Sequence, residues 1–152
     1  VWGELPNCDK AERKTVAPGK ACGELTGGNL SLVASAVGTP YAMDAKDKIV
    51  FLEDVGERPY RVDGMLNHLV QSGALSGCRG IVLGYYTDCN PPKDKPSLTL
   101  DEVFDELLAP LGVPVLSGVT CGHSTPTLSL PIGCDAELDA DAQTLRIVEG
   151  EK

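Results

Sequence analysis

The chain has few aromatic residues, few basic residues and no long apolar run. Aromatic residues make up 5% of its 152 residues against 42% for all hydrophobic residues, so aliphatic side chains must build the core. Thirteen Lys and Arg against 22 Asp and Glu give a formal net charge of -9. This balance argues against a nucleic-acid-binding surface, because phosphates require clustered cations. No apolar run approaches the roughly eighteen residues of a membrane-spanning helix, and the length suits one well-buried domain.

Cofactor and metal motifs are also missing. The sequence has no P-loop, no dinucleotide-binding fingerprint and no paired Cys or His spacing of a zinc site, so we expect neither a cofactor nor a metal. The cysteines are dispersed without a C-x-x-C pair, and we predict that they are reduced structural thiols. They are Cys8, Cys22, Cys78, Cys89, Cys121 and Cys134.

The N-terminus carries neither an initiator Met nor a signal peptide. A start at Val1 suggests a processed chain or an excised piece of a longer one. Residues 1–15 are polar and show no hydrophobic period, so we interpret them as a linker or a poorly ordered lead-in. Residues 16–152 carry the periodic segments and are expected to form the domain.

Short apolar strands alternate with amphipathic helices along the rest of the chain. We predict strands at 48–54, 80–84, 113–117 and 127–130, one or two short strands within 15–25, and a closing hairpin of 133–138 with 144–148. We predict helices at 30–37, 59–71 and 99–109. Asn29, Pro59 and a Thr99/Glu102 capping box mark the helix starts. This pattern predicts an α/β fold with a mostly parallel core sheet, flanking helices and a C-terminal antiparallel hairpin.

A histidine and a pair of acids follow two of the predicted buried strands. His123 comes shortly after strand 113–117, and Glu53 and Asp54 end an apolar run that begins at Ile49. Open α/β sheets place their sites beyond the carboxyl ends of the strands. A carboxylate that orients a histidine forms two of the three parts of a charge-oriented nucleophilic site. The third part is missing, because no serine lies in a G-x-S-x-G or S-x-x-K pattern.

The residues alone leave alternatives open for this pair. His123 could be a structural histidine of the core or of a turn, and the acids could form a solvated turn. Glu53 and Asp54 point to opposite faces if the strand continues through them. Glu57, on the loop that follows, competes with both as the acid partner.

Three other features have weaker functional interpretations. Cys121 lies too close to His123 in sequence to be a favourable nucleophile. His68 falls on the polar face of its helix and is predicted to be solvated. The Gly27-Gly28-Asn29 turn could hold an anion or a substrate carboxylate through backbone N–H groups, which makes Gly28 and Asn29 candidate substrate-binding residues.

Six segments resemble, in order and spacing, the C-terminal domain of the serine LD-carboxypeptidases, from about residue 16 to about residue 149. They are Gly27-Gly28-Asn29-Leu30-Ser31, the run from Phe51 to Asp63, Gly80-Ile81-Val82-Leu83-Gly84, Gly112-Val113-Pro114-Val115, Gly122-His123 and Leu130-Pro131-Ile132-Gly133. The resemblance implies a swivelling β/β/α domain and homodimers. It also implies that residues 16–152 are the C-terminal domain, whose N-terminal partner is absent from this chain.

The resemblance further implies an activity and roles for residues. Enzymes of the family remove a terminal D-residue from the murein tetrapeptide during cell-wall recycling in the cytoplasm, and immunity-type relatives cleave peptidyl-nucleotide antibiotics. They use a Ser-Glu-His triad whose serine belongs to the N-terminal domain. Carried over by motif, His123 is the general base and Glu53 the orienting acid, with Glu57 and Asp54 as fallback acids.

The missing nucleophile leads to one expectation about the activity of this chain alone, and three hypotheses about the function of the protein stay open. We expect the chain to fold but to be catalytically silent alone, because an imidazole and an acid need a nucleophile within hydrogen-bond reach. The first hypothesis is a murein tetrapeptide carboxypeptidase. The second is an immunity-type peptidase, although few aromatic residues are available to stack on a nucleotide. The third is a non-catalytic binding domain.

Overall fold

Eight strands form one mixed sheet in a computed structural model that describes residues 3–6 and 13–148. The strands are β1 (Gly3–Glu4), β2 (Lys14–Ala17), β3 (Lys20–Asn29), β4 (Ile49–Val55), β5 (Gly80–Thr87), β6 (Val115–Ser117), β7 (Asp135–Asp139) and β8 (Thr144–Ile147). The helices are α1 (Leu30–Ser35), α2 (Pro59–Gln71) and α3 (Leu100–Leu107), with a 3₁₀ helix at Ala109–Leu111. The order of strands across the sheet is β1-β8-β7-β3-β4-β5-β6-β2.

The centre of the sheet is parallel. β3, β4, β5 and β6 lie side by side in chain order, and each connection between them contains a helix, as parallel neighbours require. β7 and β8 form an antiparallel hairpin that joins the sheet at β3, and β1 and β2 pair antiparallel at the two edges. The predicted α/β fold, with its parallel core and C-terminal hairpin, is confirmed.

The two faces of the sheet bury separate cores, and β4 contributes to both. Val50 and Leu52 face the helices, where they share a core with the apolar stripe of α2. Ile49 and Phe51 face the other way and share a second core with the hairpin and with the loop after β6. Successive β4 side chains therefore point to opposite sides, as the pleat of a strand requires.

The helices begin where the sequence predicts. Asn29 caps α1 by accepting a hydrogen bond from the N–H of Leu32 at 3.2 Å. Pro59 is the first residue of α2. At α3, Thr99 and Glu102 form a reciprocal capping box. Among the described residues, no helix has the length and apolar character needed to cross a bilayer.

Residues 127–130 form no strand, contrary to the prediction. The N–H of Leu128 donates to the carbonyl of Thr120 at 2.8 Å, and Leu128 and Leu130 pack against the second core. The alternating apolar residues therefore reflect side-chain packing on the sheet rather than a strand ladder. Several predicted boundaries also differ: α1 ends at Ser35, β5 continues to Thr87, and β6 begins at Val115. In addition, β3 continues to Asn29, α3 ends at Leu107, and β7 begins at Asp135.

The described part of residues 1–15 departs from the expected lead-in. β1 pairs with β8, β2 pairs with β6, and Leu5 is 2% exposed in the second core. Arg13 donates to the carbonyls of Leu5 and Gln143 at 2.6 and 2.8 Å. Such short, polar edge strands need no hydrophobic period, so the sequence pattern gave no sign of β1, whereas β2 overlaps the short strands predicted within 15–25. The domain boundary at residue 16 stays a prediction.

The five described cysteines form no disulfide, and Cys8 lies outside the described residues. Cys78, Cys89 and Cys121 are buried, and burial raises the pKa of the Cys78 and Cys89 thiols. Buried thiols that stay protonated pack as small apolar side chains.

Candidate active site

The end of β4 carries the two candidate acids to opposite faces of the sheet. Glu53 continues the row of Ile49 and Phe51 and faces the loop after β6. Asp54 faces α1, where it accepts a hydrogen bond from the N–H of Ser31. Both acids are buried, with 5% of Glu53 and 3% of Asp54 exposed. The structure thus separates the acids as the strand pattern predicts.

His123 meets Glu53 although 70 positions separate them in the sequence. Nδ1 of His123 lies 2.8 Å from Oε2 of Glu53, and the backbone N–H of His123 donates to the same oxygen at 3.3 Å. The His123 side chain is 53% exposed, whereas the Glu53 side chain is 7% exposed. Within the described residues, Nε2 of His123 has no hydrogen-bond partner. A buried acid therefore orients an accessible imidazole, the arrangement of a triad without its nucleophile.

Gly122 lets the backbone pass close to the buried acid. Its φ is +114°, a conformation that favours glycine. A Cβ at this position would lie 2.5 Å from Oε2 of Glu53. Hydroxyl groups hold the loop in place, since Thr87 donates to the carbonyl of His123 at 2.8 Å and Thr127 donates to that of Gly122 at 3.0 Å. The Gly-His pair is therefore a geometric requirement of the contact with Glu53.

The contact with Glu53 raises the pKa of His123 above its ordinary value of about 6.5. The hydrogen bond from Nδ1 to Glu53 is the main cause, and the negative charges of Glu53 and, to a smaller extent, Asp54 add to it, while burial acts in the opposite direction. When the neutral ring donates its Nδ1–H to Glu53, the lone pair lies on Nε2. The exposed nitrogen is thus the one that can accept a proton from a nucleophile.

The other candidates lie away from the imidazole. Glu57 accepts a hydrogen bond from Nε of Arg61 at 3.2 Å, one turn along the chain. Cys121 is 1% exposed, and its carbonyl accepts from a backbone N–H of β5. His68 is exposed on α2, as its place on the polar face predicts. Glu53 is therefore the acid that the fold brings to His123.

Asn29 bridges the two acids from the neighbouring strand. It lies opposite Glu53 in the β3–β4 register, and its Nδ2 is 3.4 Å from Oε1 of Glu53 and 3.0 Å from Oδ1 of Asp54. Sequence reasoning proposed Asn29 only as a substrate-binding residue and missed this bridge. The available signal was that two adjacent parallel strands both end in polar residues.

A cleft of about 350 Å³ opens beside this bridge. Gly28 and Asn29 line it together with Leu32 and Tyr41, whose side chains are largely exposed. The two candidate substrate-binding residues therefore border an open space next to the acids. The Gly27-Gly28-Asn29 segment itself belongs to β3 rather than to a free turn.

Comparison with known proteins identifies relatives of the chain. A profile of the LD-carboxypeptidase C-terminal domain matches residues 22–138. The probable murein peptide carboxypeptidase of Bacillus subtilis (strain 168) is 41% identical over 135 residues, covering 89% of this chain and 42% of that protein. The microcin C7 self-immunity protein MccF of Escherichia coli is 29% identical over 134 residues, covering 86% and 38%. The crystal structure of muramoyltetrapeptide carboxypeptidase from Oxalobacter formigenes matches with a TM-score of 0.79 and 30% identity, covering 94% of this chain and 51% of that one.

The extent of these matches defines what the chain corresponds to. It spans about two fifths of the length of the curated relatives that it matches. The matched range contains the parallel core, the three helices and both members of the His123–Glu53 pair. The chain belongs to the LD-carboxypeptidase family, whose C-terminal domain it matches.

Proposed function

We propose that residues 16–152 are the C-terminal domain of a serine LD-carboxypeptidase that hydrolyses the L,D-peptide bond of murein tetrapeptide and releases the terminal D-amino acid. The observation that carries the proposal is the 2.8 Å contact between Nδ1 of His123 and Oε2 of Glu53. The substrate class comes from the names of the relatives, a murein peptide carboxypeptidase and a muramoyltetrapeptide carboxypeptidase.

In the complete enzyme, an N-terminal domain brings a serine hydroxyl to Nε2 of His123. The imidazole takes the hydroxyl proton as the oxygen attacks the carbonyl carbon, and it later gives that proton to the leaving amine. Glu53 fixes the ring through Nδ1 and stabilises the imidazolium that forms in between. Water then releases the acyl group from the serine, with His123 again acting as the base.

The substrate lies in this proposal along the cleft beside the acids. Gly28 and Asn29 line that cleft and adjoin Glu53, which supports their role as substrate-binding residues. Gly28 contributes backbone only, and a Cβ built there meets nothing within 4 Å. The wall of the cleft at this point is therefore open enough for a peptide to approach it.

Sequence identity favours this function over the immunity alternative. The chain is 41% identical to the murein peptide carboxypeptidase of Bacillus subtilis but 29% identical to MccF. The buried Glu53 and the raised pKa of His123 favour an enzyme over a non-catalytic binding domain, because strongly coupled titratable groups cluster at functional sites.

The wider context of the proposal comes from the family resemblance. On that basis we propose an enzyme of the cytoplasm, a homodimer whose N-terminal domain packs against residues 16–152. Leu32 and Tyr41 are both exposed and lie together beside the cleft. This pair supports a contact with the N-terminal domain next to the cleft, since adjoining exposed apolar groups near a site are typical of contact surfaces.

The proposal is tested by measuring D-alanine release from murein tetrapeptide. We expect none from the chain alone and measurable release when the N-terminal domain of the same enzyme is added. In that mixture, His123→Ala should lower the rate on the order of 10⁴-fold or more, because it removes the base. His68→Ala, which replaces an exposed histidine on α2, is the matched control and should keep the rate.

Three outcomes would contradict the proposal. Release by the chain alone would show that the nucleophile is not missing, and a full rate in the His123→Ala mixture would show that the imidazole is not the base. Cleavage of a peptidyl nucleotide in place of murein tetrapeptide would assign the immunity function instead.

A further inference from the structure

Asp54 is a buried acid that no cation neutralises within the described residues. It is 3% exposed and takes part in none of the ion pairs found there. Its carboxylate instead accepts four hydrogen bonds, which satisfy a charge that would otherwise be strongly unfavourable to bury. The donors are the N–H of Ser31 (2.9 Å), the hydroxyl of Ser31 (2.7 Å), Nδ2 of Asn29 (3.0 Å) and the N–H of Val55 (2.8 Å).

These contacts fix the orientation of the Asn29 amide. Its Oδ1 accepts from the N–H of Leu32 as the cap of α1, and its Nδ2 faces both Asp54 and Glu53. An amide turned around would place its oxygen against two carboxylates and would lose the cap. Asp54 therefore acts together with the helix cap to fix which group Asn29 presents to Glu53.

Each oxygen of the Glu53 carboxylate consequently has its own neighbour. Oε1 lies 3.4 Å from Nδ2 of Asn29, and Oε2 receives Nδ1 and the backbone N–H of His123. Rotation of the carboxylate would break contacts on both sides at once. The bridge from Asp54 thus reaches His123 through two intervening side chains.

We infer that Asp54 is a positioning residue: it holds the Asn29 amide against Oε1 of Glu53 and so keeps Oε2 directed at Nδ1 of His123. The inference rests on the proposed function for its catalytic meaning. Asp54 itself contacts neither the imidazole nor the cleft.

The other titratable groups that face Asp54 do not offer an alternative support. They are Glu53 on the same strand, Tyr86 on β5, Cys89 just after it, and His123, whose pKa the charge of Asp54 raises without a hydrogen bond between the two side chains. Burial raises the pKa of Tyr86 well above its usual range, and the charge of Asp54 adds to this effect. Both Tyr86 and Cys89 therefore remain neutral, which leaves the four donors as the support of the Asp54 charge.

The test is an NMR measurement on this chain in a His68→Gln background, in which His123 is the one histidine. Asp54→Asn should weaken the downfield Nδ1–H signal of the His123–Glu53 hydrogen bond, which is the readout of the bridge. It should also lower the His123 pKa, in part because it removes a negative charge that raises that pKa directly. Asn29→Ser should act in the same direction, since serine keeps the helix cap but removes the bridge and leaves the Asp54 charge in place. The double variant should change the signal no more than one variant alone, because both act through one bridge.

The matched control is Asp105→Asn, which removes an exposed acid of α3 and should leave the His123 signals unchanged. Unchanged signals in folded Asp54→Asn and Asn29→Ser, or fully additive effects, would overturn the inference. Loss of fold in Asp54→Asn together with wild-type signals in Asn29→Ser would assign Asp54 a structural role and would overturn it too. Failure of the proposed function would appear instead in the D-alanine assay, with these NMR effects intact.

Discussion

At the residue scale, Gly122 sets how closely the His123 loop approaches the buried acid. We predict that Gly122→Ala displaces Glu53, since the new Cβ would lie 2.5 Å from its Oε2, and destabilises the chain by about 1–3 kcal/mol. The measurement is urea denaturation together with the Nδ1–H signal of His123. Gly133→Ala is the matched control, because its φ is also positive (+87°) but its Cβ would meet nothing within 4 Å. Equal effects of the two variants would contradict the steric argument.

Glu53 and His123 also predict how stability depends on pH. The raised pKa of His123 means that the folded chain holds the imidazolium proton at pH values where the unfolded chain has lost it. The resulting stabilisation is complete below about pH 6.5 and disappears as the pH rises through the folded-state pKa. Glu53→Gln should lower that pKa and remove this pH-dependent stability.

NMR titration of His123 and urea denaturation at acidic and alkaline pH measure these two effects. His68→Gln serves as the control, because it removes a histidine that lies exposed on α2. A stability difference between the wild-type chain and Glu53→Gln that stays constant across this pH range would contradict the prediction.

At the scale of elements, the capping box of α3 has a measurable role. Thr99 accepts from the N–H of Glu102 at 3.3 Å, and Glu102 accepts from the N–H of Thr99 at 2.7 Å. Thr99→Ala should therefore cost about 1 kcal/mol of unfolding free energy, measured by urea denaturation. Thr99→Ser keeps the oxygen and should stay close to the wild-type value. A similar loss in both variants would show that packing of the threonine methyl group, rather than the cap, is responsible.

Elements that carry their own local signal could be predicted from the sequence. Pro59 and the apolar stripe that follows it fix the start and extent of α2. The meeting of His123 with Glu53 follows from a general rule, since strand ends of a parallel sheet share one edge. The bridge from Asp54 through Asn29 needed the β3–β4 register, which no local pattern contains. The alternation of Leu128 and Leu130 wrongly predicted a strand at 127–130, because these side chains alternate in order to pack against the second core without forming a strand.

At the scale of the whole molecule, the N-terminal segment supplies the outermost strand at both edges of the sheet. β1 pairs with β8 at one edge and β2 pairs with β6 at the other, although only nine residues separate the two strands in sequence. Edge strands expose unpaired backbone groups that invite pairing with another chain. Leu5 and Arg13 secure this arrangement, the first by its burial and the second by bonding two distant carbonyls.

The residues that match the family profile are consequently fewer than the residues that form the complete sheet. A polypeptide trimmed to residues 22–138 would lack β1, β2 and β8, and its outermost ladders would become β6 and β7. Each would then present a row of open peptide groups to neighbouring copies. Trimming to the family range would thus leave β6 and β7 as edge strands and favour aggregation through their unpaired backbone groups.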